Sequence, residues 1–278
     1  MTVVGTNSTA LRVANSSTIA SMMQTRAMER LSTGKRLNSA KDDAAGMGIA
    51  TMMTAQVRGI AQGIRNANDG LSLAQTADGA LAEMTNMLQR MRELAVQALN
   101  GTNDTDARTA IKTEMDQLAG QIDDQIATSK FNGKNLFDGT AANVYIQAGA
   151  NASNGVTIDL TDLSADATIA AVVTGGVSAI DPTAVAFSTA DLAKFDDALN
   201  TISATRATFG AMQNRLESVV ANLSTEMLSL TDSRSRIEDA DFSNETTQLA
   251  KAQILSQAST AMLAQANQSQ QGILKLIG

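Results

Sequence analysis

Cysteine, histidine and tryptophan are absent from the sequence, and Pro182 is its single proline. Without Cys and His the chain has no disulfide, no thiolate nucleophile, no imidazole base and no Cys/His zinc site. Aromatic residues make up only 3% of the chain, whereas Ala, Met and Leu supply much of its 44% hydrophobic content. Such residues pack helix against helix, so the composition predicts long helices rather than a compact enzyme.

The charge and hydropathy exclude further classes of protein. A net charge of −7, with no run of Lys or Arg, argues against a nucleic-acid partner and against an anionic membrane surface. No stretch approaches roughly 18 apolar residues, so we expect no membrane insertion. The start, "MTVVGTNSTALRV", lacks the basic and hydrophobic regions of a cleavable secretory signal. Export by a route that needs no such signal stays open.

Apolar residues recur at alternating steps of three and four in two long segments. All eight seam positions from Ala74 to Ala98 are apolar, as are ten of twelve between 192 and 230. This period predicts two long helices that pack along each other, with a shorter helix over 111–126 between them. The residues that we expect to interlock in this seam are Leu81, Met84, Leu88, Met91, Leu199, Phe209, Leu216 and Leu223.

The segment between these helices has a different character. "NVYIQAG" and "GVTIDL" alternate apolar and polar residues and are separated by Gly, Asn and Ser, which is typical of strands. The single proline also lies here, outside every predicted helix. The predicted fold class is therefore mainly α: a long antiparallel helical hairpin or coiled-coil bundle, with paired termini and a small β-containing insert in the middle of the chain.

Both terminal segments carry apolar residues on more than one helix face. In the C-terminal segment the seam runs through 252, 255, 259 and 262, and Ile254 and Leu263 lie off it. A helix that is apolar on several faces has to be buried. Either the chain is a self-contained antiparallel bundle, or its termini pair along one face and are buried elsewhere against other copies. The residues assigned to contacts between copies are Leu11, Ile19, Met23, Leu31, Leu255, Met262, Ile273 and Leu276.

Two charged segments, "SAKDDAAG" and "RSRIEDAD", lie at comparable distances from the two ends. Adjacent carboxylates at Asp42 and Asp43 could bind a metal or act as acid and base. With no His available, a joint between helical segments is the favoured interpretation. We expect the two segments to approach each other in the folded subunit and to pair their charges. The residues of this predicted joint are Lys41, Asp42, Asp43, Arg234, Arg236, Glu238 and Asp239.

Long segments of the chain resemble the terminal signatures of bacterial flagellin. The N-terminal signature is matched by "ERLSTGKRLNSAKDDAAGMGIA", "RNANDGLSLAQTADGAL" and "LQRMRELAVQ", and its later part by "FNGKNLF" and "IQAGAN". The C-terminal one is matched by "GAMQNRLESVVANL", "SRSRIEDADF" and "KAQILSQASTAMLAQANQ". The matches follow the family order and cover most of the chain outside 152–190. They indicate a short flagellin without large outer domains.

The resemblance implies a structural subunit of the flagellar filament, without enzyme activity, cofactor or metal. Flagellins polymerise with themselves or with other flagellins into a helical tube, an extracellular propeller for motility. The implied partners are the flagellar type III export apparatus, an export chaperone, the filament cap and hook-junction proteins. Subunits are exported unfolded and secreted, and their termini fold on assembly, where partner surface offsets the entropy cost of ordering.

The resemblance also implies a division of the chain and a further partner. Residues 1–42 with 238–278 are expected to form an inner terminal coiled-coil domain. Residues 43–140 with 190–237 form a long-helix bundle domain, and 141–189 a short β and loop region. Arg90, Leu94 and Glu114 match the positions at which a vertebrate Toll-like receptor contacts flagellins of this kind.

Two alternative functions and one question of modification stay open at this point. A hook–filament junction protein shares terminal packing, but the near-continuous match to flagellin at both ends disfavours it. An enzyme or signalling coiled coil is disfavoured because the sequence has no His, no Cys and no phosphate-binding Gly loop. Ser and Thr in 152–190 could carry O-linked sugars, and the sequence does not decide this.

Overall fold

The computed structural model describes residues 6–141, 143–151 and 154–277, with side chains up to Gly272. Long helices occupy both ends of the chain, and short strands lie between them, as predicted. None of the helices in the described ranges is both long and apolar enough to cross a lipid bilayer. The elements in chain order are α1 (Ser8–Thr33), α2 (Ala44–Ala98), α3 (Thr105–Thr128), β1 (Lys130–Phe131), β2 (Lys134–Asn135), β3 (Asn143–Gln147), β4 (Gly155–Asp159), α4 (Ala167–Ala170), β5 (Val173–Thr174), β6 (Val177–Ser178), α5 (Ala190–Glu238) and α6 (Phe242–Ile277).

Local signals fix where the first helices begin and end. The Asn7 side chain caps α1 by accepting a hydrogen bond from the backbone N–H of Ala10 at 3.0 Å. Gly34 ends α1 with a left-handed φ of 71°, a conformation that suits glycine. Asp104 caps α3 in the same way as Asn7 caps α1, and the segment "NGTNDTD" separates α2 from α3.

The chain divides into two compact units. Unit 1 comprises Met1–Gln56 and Leu228–Gly278, and unit 2 comprises Val57–Met227. The sequence places a domain boundary near residues 42 and 238. The boundaries of unit 1 fall inside the long helices α2 and α5.

The core of unit 2 is built on the predicted seam. On α2 all four seam residues from Leu81 to Met91 are fully buried. On α5, Leu199 is only half-buried, because its neighbour Ala198 takes the interior position. The three other predicted α5 residues, Phe209, Leu216 and Leu223, are buried, as are Phe195 and Ile202 on the same helix. Helix α3 adds Ile111, Met115, Ile122 and Ile126.

The strands form two-residue and five-residue antiparallel hairpins. β3 and β4 pair with Val144 opposite Ile158 and Ile146 opposite Val156, which confirms the alternation seen in the sequence. Asn132 and Gly133 form the turn that joins β1 to β2, with φ values of 47° and 80°. The short ribbon of β5 and β6 and the single turn of α4 were not predicted, since their segments are too short to show a period.

Two glycines of α2 let the β3–β4 hairpin approach the helix closely. A Cβ added at Gly63 would lie 2.6 Å from the carbonyl carbon of Ala148. One added at Gly59 would lie 2.8 Å from the Cβ of Ala150. The helix therefore carries glycine here, although glycine weakens a helix, because no larger residue leaves room for the hairpin backbone.

Candidate functional site

The terminal helices α1 and α6 pair with each other in unit 1. Asn7 at the start of α1 donates a hydrogen bond from its Nδ2 to the backbone carbonyl of Ala266, at 3.3 Å. Near the end of α1, Arg30 forms an ion pair with Glu245, with 2.9 Å between Nη1 and Oε1. Because the start of one helix meets the later part of the other, the pair is antiparallel.

The face that α1 and α6 share is narrow and consists of small residues. The buried residues of α1 are Ala20 and Ala27, seven positions apart. Those in the described part of α6 are Ala252 and Ser259, also seven apart. A seven-residue spacing keeps one stripe facing a partner helix, and small side chains let two helix backbones approach each other. The pairing therefore removes little apolar surface from water.

The structure corrects the phase of the predicted α6 seam. Leu255 and Met262, which the sequence pattern placed on that seam, are 41% and 60% exposed. Ser256 and Leu263 are half-buried beside Ala252 and Ser259 instead. Helix α6 faces α1 with its small residues. The larger side chains Leu255 and Met262 therefore lie outside the contact between the two helices.

Eight large apolar side chains in the described parts of α1 and α6 are exposed. One of them, Phe242, is the first residue of α6, and we call the other seven the apolar terminal surface. Leu11, for example, is 63% exposed. Met23 and Leu31, predicted to contact other copies, are half-buried. The predicted positions Ile273 and Leu276 lie beyond the described side chains. The apolar terminal surface consists of Leu11, Ile19, Met22, Met28, Ile254, Leu255 and Met262.

In unit 1 the second charged segment of the predicted joint contacts residues 34–37, which lie just before the first segment, and Glu238 is the predicted joint residue that bonds to them. The backbone N–H of Arg36 donates to the carbonyl of Glu238 at 2.7 Å, and that of Ala240 donates to the carbonyl of Gly34 at 2.9 Å. The Lys35 ammonium forms an ion pair with the Glu238 carboxylate. The signal that could have found these contacts is "GKR", in which Gly34 ends α1 and Lys35 and Arg36 follow it directly.

The acidic residues of the first segment accept hydrogen bonds from the backbone near them and do not bond to the second segment in the described structure. Asp42 accepts hydrogen bonds through Oδ2 from the backbone N–H groups of Ser39 and Asn38, at 3.1 and 3.3 Å. The hydrogen bond from the Ser39 backbone is the main cause that lowers the pKa of Asp42. Asp43 accepts from the backbone N–H of Gly46 at 2.9 Å and so caps α2.

Residues of the second segment bond mainly within their own part of the chain. Arg234 Nε lies 3.9 Å from the Glu238 carboxylate, and its Nη1 lies 3.5 Å from the hydroxyl of Thr54. Asp239 accepts a hydrogen bond from the Ser235 hydroxyl at 2.6 Å. Arg236 is exposed, as is Lys41 of the first segment. Backbone hydrogen bonds and the Lys35–Glu238 ion pair thus hold the joint together.

Arg90 and Glu114 form an ion pair on the surface of unit 2, and Leu94 lies beneath that surface. The Arg90 Nη2 and the Glu114 Oε1 are 2.8 Å apart. The hydrogen bond that Arg90 donates to Glu114 is the main cause that raises the pKa of Arg90, and one that it donates to Glu93 adds to it. Leu94 is only 1% exposed, so its predicted role as a surface contact is corrected to that of a core residue.

The sequence matches two family models that together span most of the chain. A model described as the bacterial flagellin N-terminal helical region matches residues 4–142. A second, the bacterial flagellin C-terminal helical region, matches residues 192–277. These matches contain all of α1 and α6, and they leave out the segment that carries β3, β4, α4, β5 and β6.

Curated relatives match over nearly their whole length. Flagellin of Halalkalibacterium halodurans is 44% identical over 254 residues, which cover 91% of each chain. Flagellin of Bacillus subtilis is 42% identical, over 90% of this chain and 91% of the relative. A solved structure of a putative flagellar hook-associated protein from Vibrio parahaemolyticus has a TM-score of 0.53 and 20% identity, and covers 71% of this chain and 100% of that one. At this identity the likeness shows the fold alone.

Proposed function

The chain belongs to the bacterial flagellin family, and on that premise we propose that its copies join through the apolar terminal surface of α1 and α6. It is a structural subunit of the flagellar filament and not an enzyme. Self-assembly follows from the family, whereas the residues that mediate it are the proposal. The family models and the curated relatives are flagellins, which favours this function over that of a junction protein.

One observation carries the proposal: the terminal helices expose large apolar residues and bury small ones. Large apolar side chains that are exposed together on one pair of helices mark a candidate interaction site. Burying one such side chain stabilises an interface by about 1.5–3 kcal/mol. Contacts at several of the seven residues are therefore enough to drive polymerisation against the entropy cost of association.

The same observation supports ordering of the termini on assembly. The two helices bury only Ala20, Ala27, Ala252 and Ser259 among their described residues. Fixing the backbone of one residue costs about 1–2 kcal/mol, so two long helices joined by this stripe are marginal alone. Neighbouring subunits supply the missing apolar contacts, and folding is coupled to binding.

The division of the chain into domains follows the backbone joint. The joint, at 34–43 and 239–241, separates α1 from α2 and α5 from α6, and its two strands of chain are hydrogen-bonded to each other. We therefore place residues 1–42 and 238–278 in the assembly domain. The bundle domain is 43–140 with 190–237, and 141–189 is a β and loop region attached to it.

The remaining partners and the location are those of an exported filament subunit. Flagellin relatives form an extracellular filament. The chain is exported unfolded through the flagellar type III apparatus with an export chaperone, secreted, and assembled between hook-junction proteins and the filament cap. A strain without the flagellar export apparatus should retain the chain inside the cell; release into the medium from such a strain contradicts this part of the proposal.

A vertebrate Toll-like receptor is a further candidate partner, at Arg90 and Glu114. Both side chains are about half exposed and hold each other in place, so they offer an ordered, charged contact. In a receptor reporter assay, Arg90→Ala and Glu114→Ala should each weaken the response to the free subunit. Arg65→Ala, an exposed arginine on the same helix that bonds to Gln62, is the control. Equal responses from all variants would exclude this contact.

Seeded elongation tests the assembly surface directly. Purified subunits are added to short filament fragments, and filament length is followed by electron microscopy. Leu11→Gln and Leu255→Gln keep the charge and the helix propensity but remove apolar contact. Each should slow elongation about tenfold or more, as expected for the loss of about 1.4 kcal/mol or more at the interface.

The matched control is Val185→Gln, the same kind of change at a residue of unit 2 that is 107% exposed. It should elongate like the unchanged chain. If Leu11→Gln and Leu255→Gln also elongate normally while circular dichroism shows an intact fold, the apolar terminal surface is not the contact between copies.

A further inference from the structure

The exposed methionines and the fully buried methionines lie in different units of the chain. The chain has 14 methionines. Among the described ones, the four that are largely exposed are Met22, Met28, Met52 and Met262, and all of them lie in unit 1. Fully buried methionines, by contrast, lie in the unit 2 core: Met84, Met91 and Met115.

Three of the exposed methionines belong to the apolar terminal surface. Met22 and Met28 are on α1, and Met262 is on α6. Each is more than half exposed, although methionine is an apolar residue and equally long polar residues would form the helix as well. The thioether sulfur is soft and polarisable, and its reaction with oxidants depends on access from solvent.

We infer that oxidation of the exposed Met22, Met28 and Met262 controls whether a free subunit can be added to the filament. The inference rests on the proposed assembly function. The oxidant is a peroxide: hydrogen peroxide transfers one oxygen atom to the thioether sulfur and leaves as water. The sulfur loses two electrons in forming the sulfoxide, and the peroxide gains them. No backbone bond changes.

The sulfoxide acts at the interface rather than on the fold of the subunit. In the free subunit these side chains contact water, so a polar sulfoxide oxygen is well solvated there. In the filament the same oxygen is buried against apolar groups of the next copy, where an unpaired polar group is costly. Oxidation therefore weakens the addition of subunits. The core of unit 2 stays intact, because Met84 and Met91 are buried and peroxide does not contact them.

Assembly also protects the site, which gives the inference a second consequence. Once neighbouring copies cover the apolar terminal surface, the three sulfurs are no longer accessible to peroxide. Oxidation then removes the free subunit from the assembly reaction but spares the finished filament. The modification is reversible, because methionine sulfoxide reductases return the sulfoxide to the thioether.

The test compares free subunits with filaments after the same treatment with hydrogen peroxide. Peptide mass spectrometry locates each added oxygen, and seeded elongation measures assembly competence. We expect sulfoxide at Met22, Met28 and Met262 in the free subunit and much less of it in the filament. Elongation by the oxidised subunit should fall about tenfold or more, as for an unpaired polar group in an interface. Reductase treatment should restore it.

The control is a chain with Met22→Leu, Met28→Leu and Met262→Leu, which keeps the apolar surface but removes the three sulfurs. It should elongate normally before peroxide and continue to do so after it, with Met52 still oxidised. If peroxide stops this variant as well, another methionine is responsible and the inference is wrong. If the unchanged chain elongates normally with all three sulfoxides present, the inference also fails.

The experiments distinguish a wrong inference about oxidation from a wrong proposal about the assembly surface. Normal elongation of Leu11→Gln and Leu255→Gln would show that copies do not join there, whatever the oxidation state. If those variants are slowed and the oxidised chain is not, the surface is correct and only its control by oxidation is refuted.

Discussion

At the scale of single residues, Asp42 illustrates why a cluster of charges need not be a site. The sequence shows adjacent carboxylates, and the structure shows that each has a separate structural task. Asp42 closes a turn over Asn38 and Ser39, and Asp43 caps α2. Short polar side chains that accept hydrogen bonds from backbone N–H groups in this way favour turns and helix N-termini.

Asp42→Ala should loosen this turn in a pH-dependent way. The folded pKa of Asp42 lies below its ordinary value of 3.8, so the ionised form is the one that the turn stabilises. The stabilisation is complete above pH 3.8 and is lost as the pH falls through the lowered folded pKa. At neutral pH, the amides of Asn38 and Ser39 should exchange with deuterium faster in the variant, and the difference should disappear in acid.

The neighbouring Lys41→Ala, a truncation at an exposed residue one position away, is the control for Asp42→Ala. It should leave the exchange of both amides unchanged. Faster exchange in Lys41→Ala, or a difference for Asp42→Ala that persists in strong acid, would contradict the role assigned to the Asp42 carboxylate.

At the scale of elements, the glycines of α2 are of two kinds. A Cβ added at Gly63 would meet the backbone of Ala148, whereas one added at Gly79 would have nothing within 4 Å. Gly63→Ala should therefore destabilise the subunit by about 1–3 kcal/mol, as overpacking does. Gly79→Ala should stabilise it by up to about 1 kcal/mol, since alanine is the better helix former.

Urea unfolding of the free subunit, followed by circular dichroism, measures both glycine variants. The pair shares a helix, a unit and a chemical change, and differs only in what the new methyl group meets. Destabilisation by both variants would mean that helix packing elsewhere, rather than the β3–β4 hairpin, sets the requirement for glycine.

Elements also show how far the sequence could predict the fold. The seam from Ala74 to Ala98 has apolar residues on one stripe, and every one of them is buried. The α6 segment has apolar residues on two stripes that share Ala252 and Ser259. Periodicity alone could not decide which stripe faces α1, because both satisfy the same spacing. The choice depends on how closely the partner helix approaches, and small residues decide that.

The joint was predictable in position but not in its contacts. Charges at comparable distances from both ends predicted that residues 41–43 would meet 234–241, whereas the contacts seen join residues 34–37 to 238–240. The contacts are made mainly by the backbone of Gly34, Arg36 and Ala240, which carries no side-chain signal. Leu94 was predicted to be a surface contact, but its side chain is buried. A match to a family position does not state whether a side chain is exposed in this chain.

At the scale of the whole molecule, the two units differ in how they are stabilised. The largest fully buried side chains of the described residues all lie in unit 2, from Leu81 to Phe209. Unit 1 buries mainly alanines, with Leu37 as its one larger buried residue in the described ranges. Stability is therefore uneven along the chain, and unit 1 should open at a lower cost than unit 2.

Limited digestion with trypsin tests this difference, because both units offer arginines. Arg12, Arg26 and Lys251 are exposed on the terminal helices. In unit 2, Arg92 and Arg206 are held by Asp196 and Asp78 on packed helices. In the free subunit the three terminal sites should be cut first, since a protease needs the local chain to unfold and unit 1 opens more easily.

In the filament, the order of cleavage should change. Contacts between copies stabilise the terminal helices by mass action, so Arg12, Arg26 and Lys251 should become resistant. A filament and a free subunit with the same digestion pattern, timed by mass spectrometry, would show that the terminal helices are already stable before assembly. The apolar terminal surface would then be a docking face on a folded domain, and ordering would no longer be coupled to polymerisation.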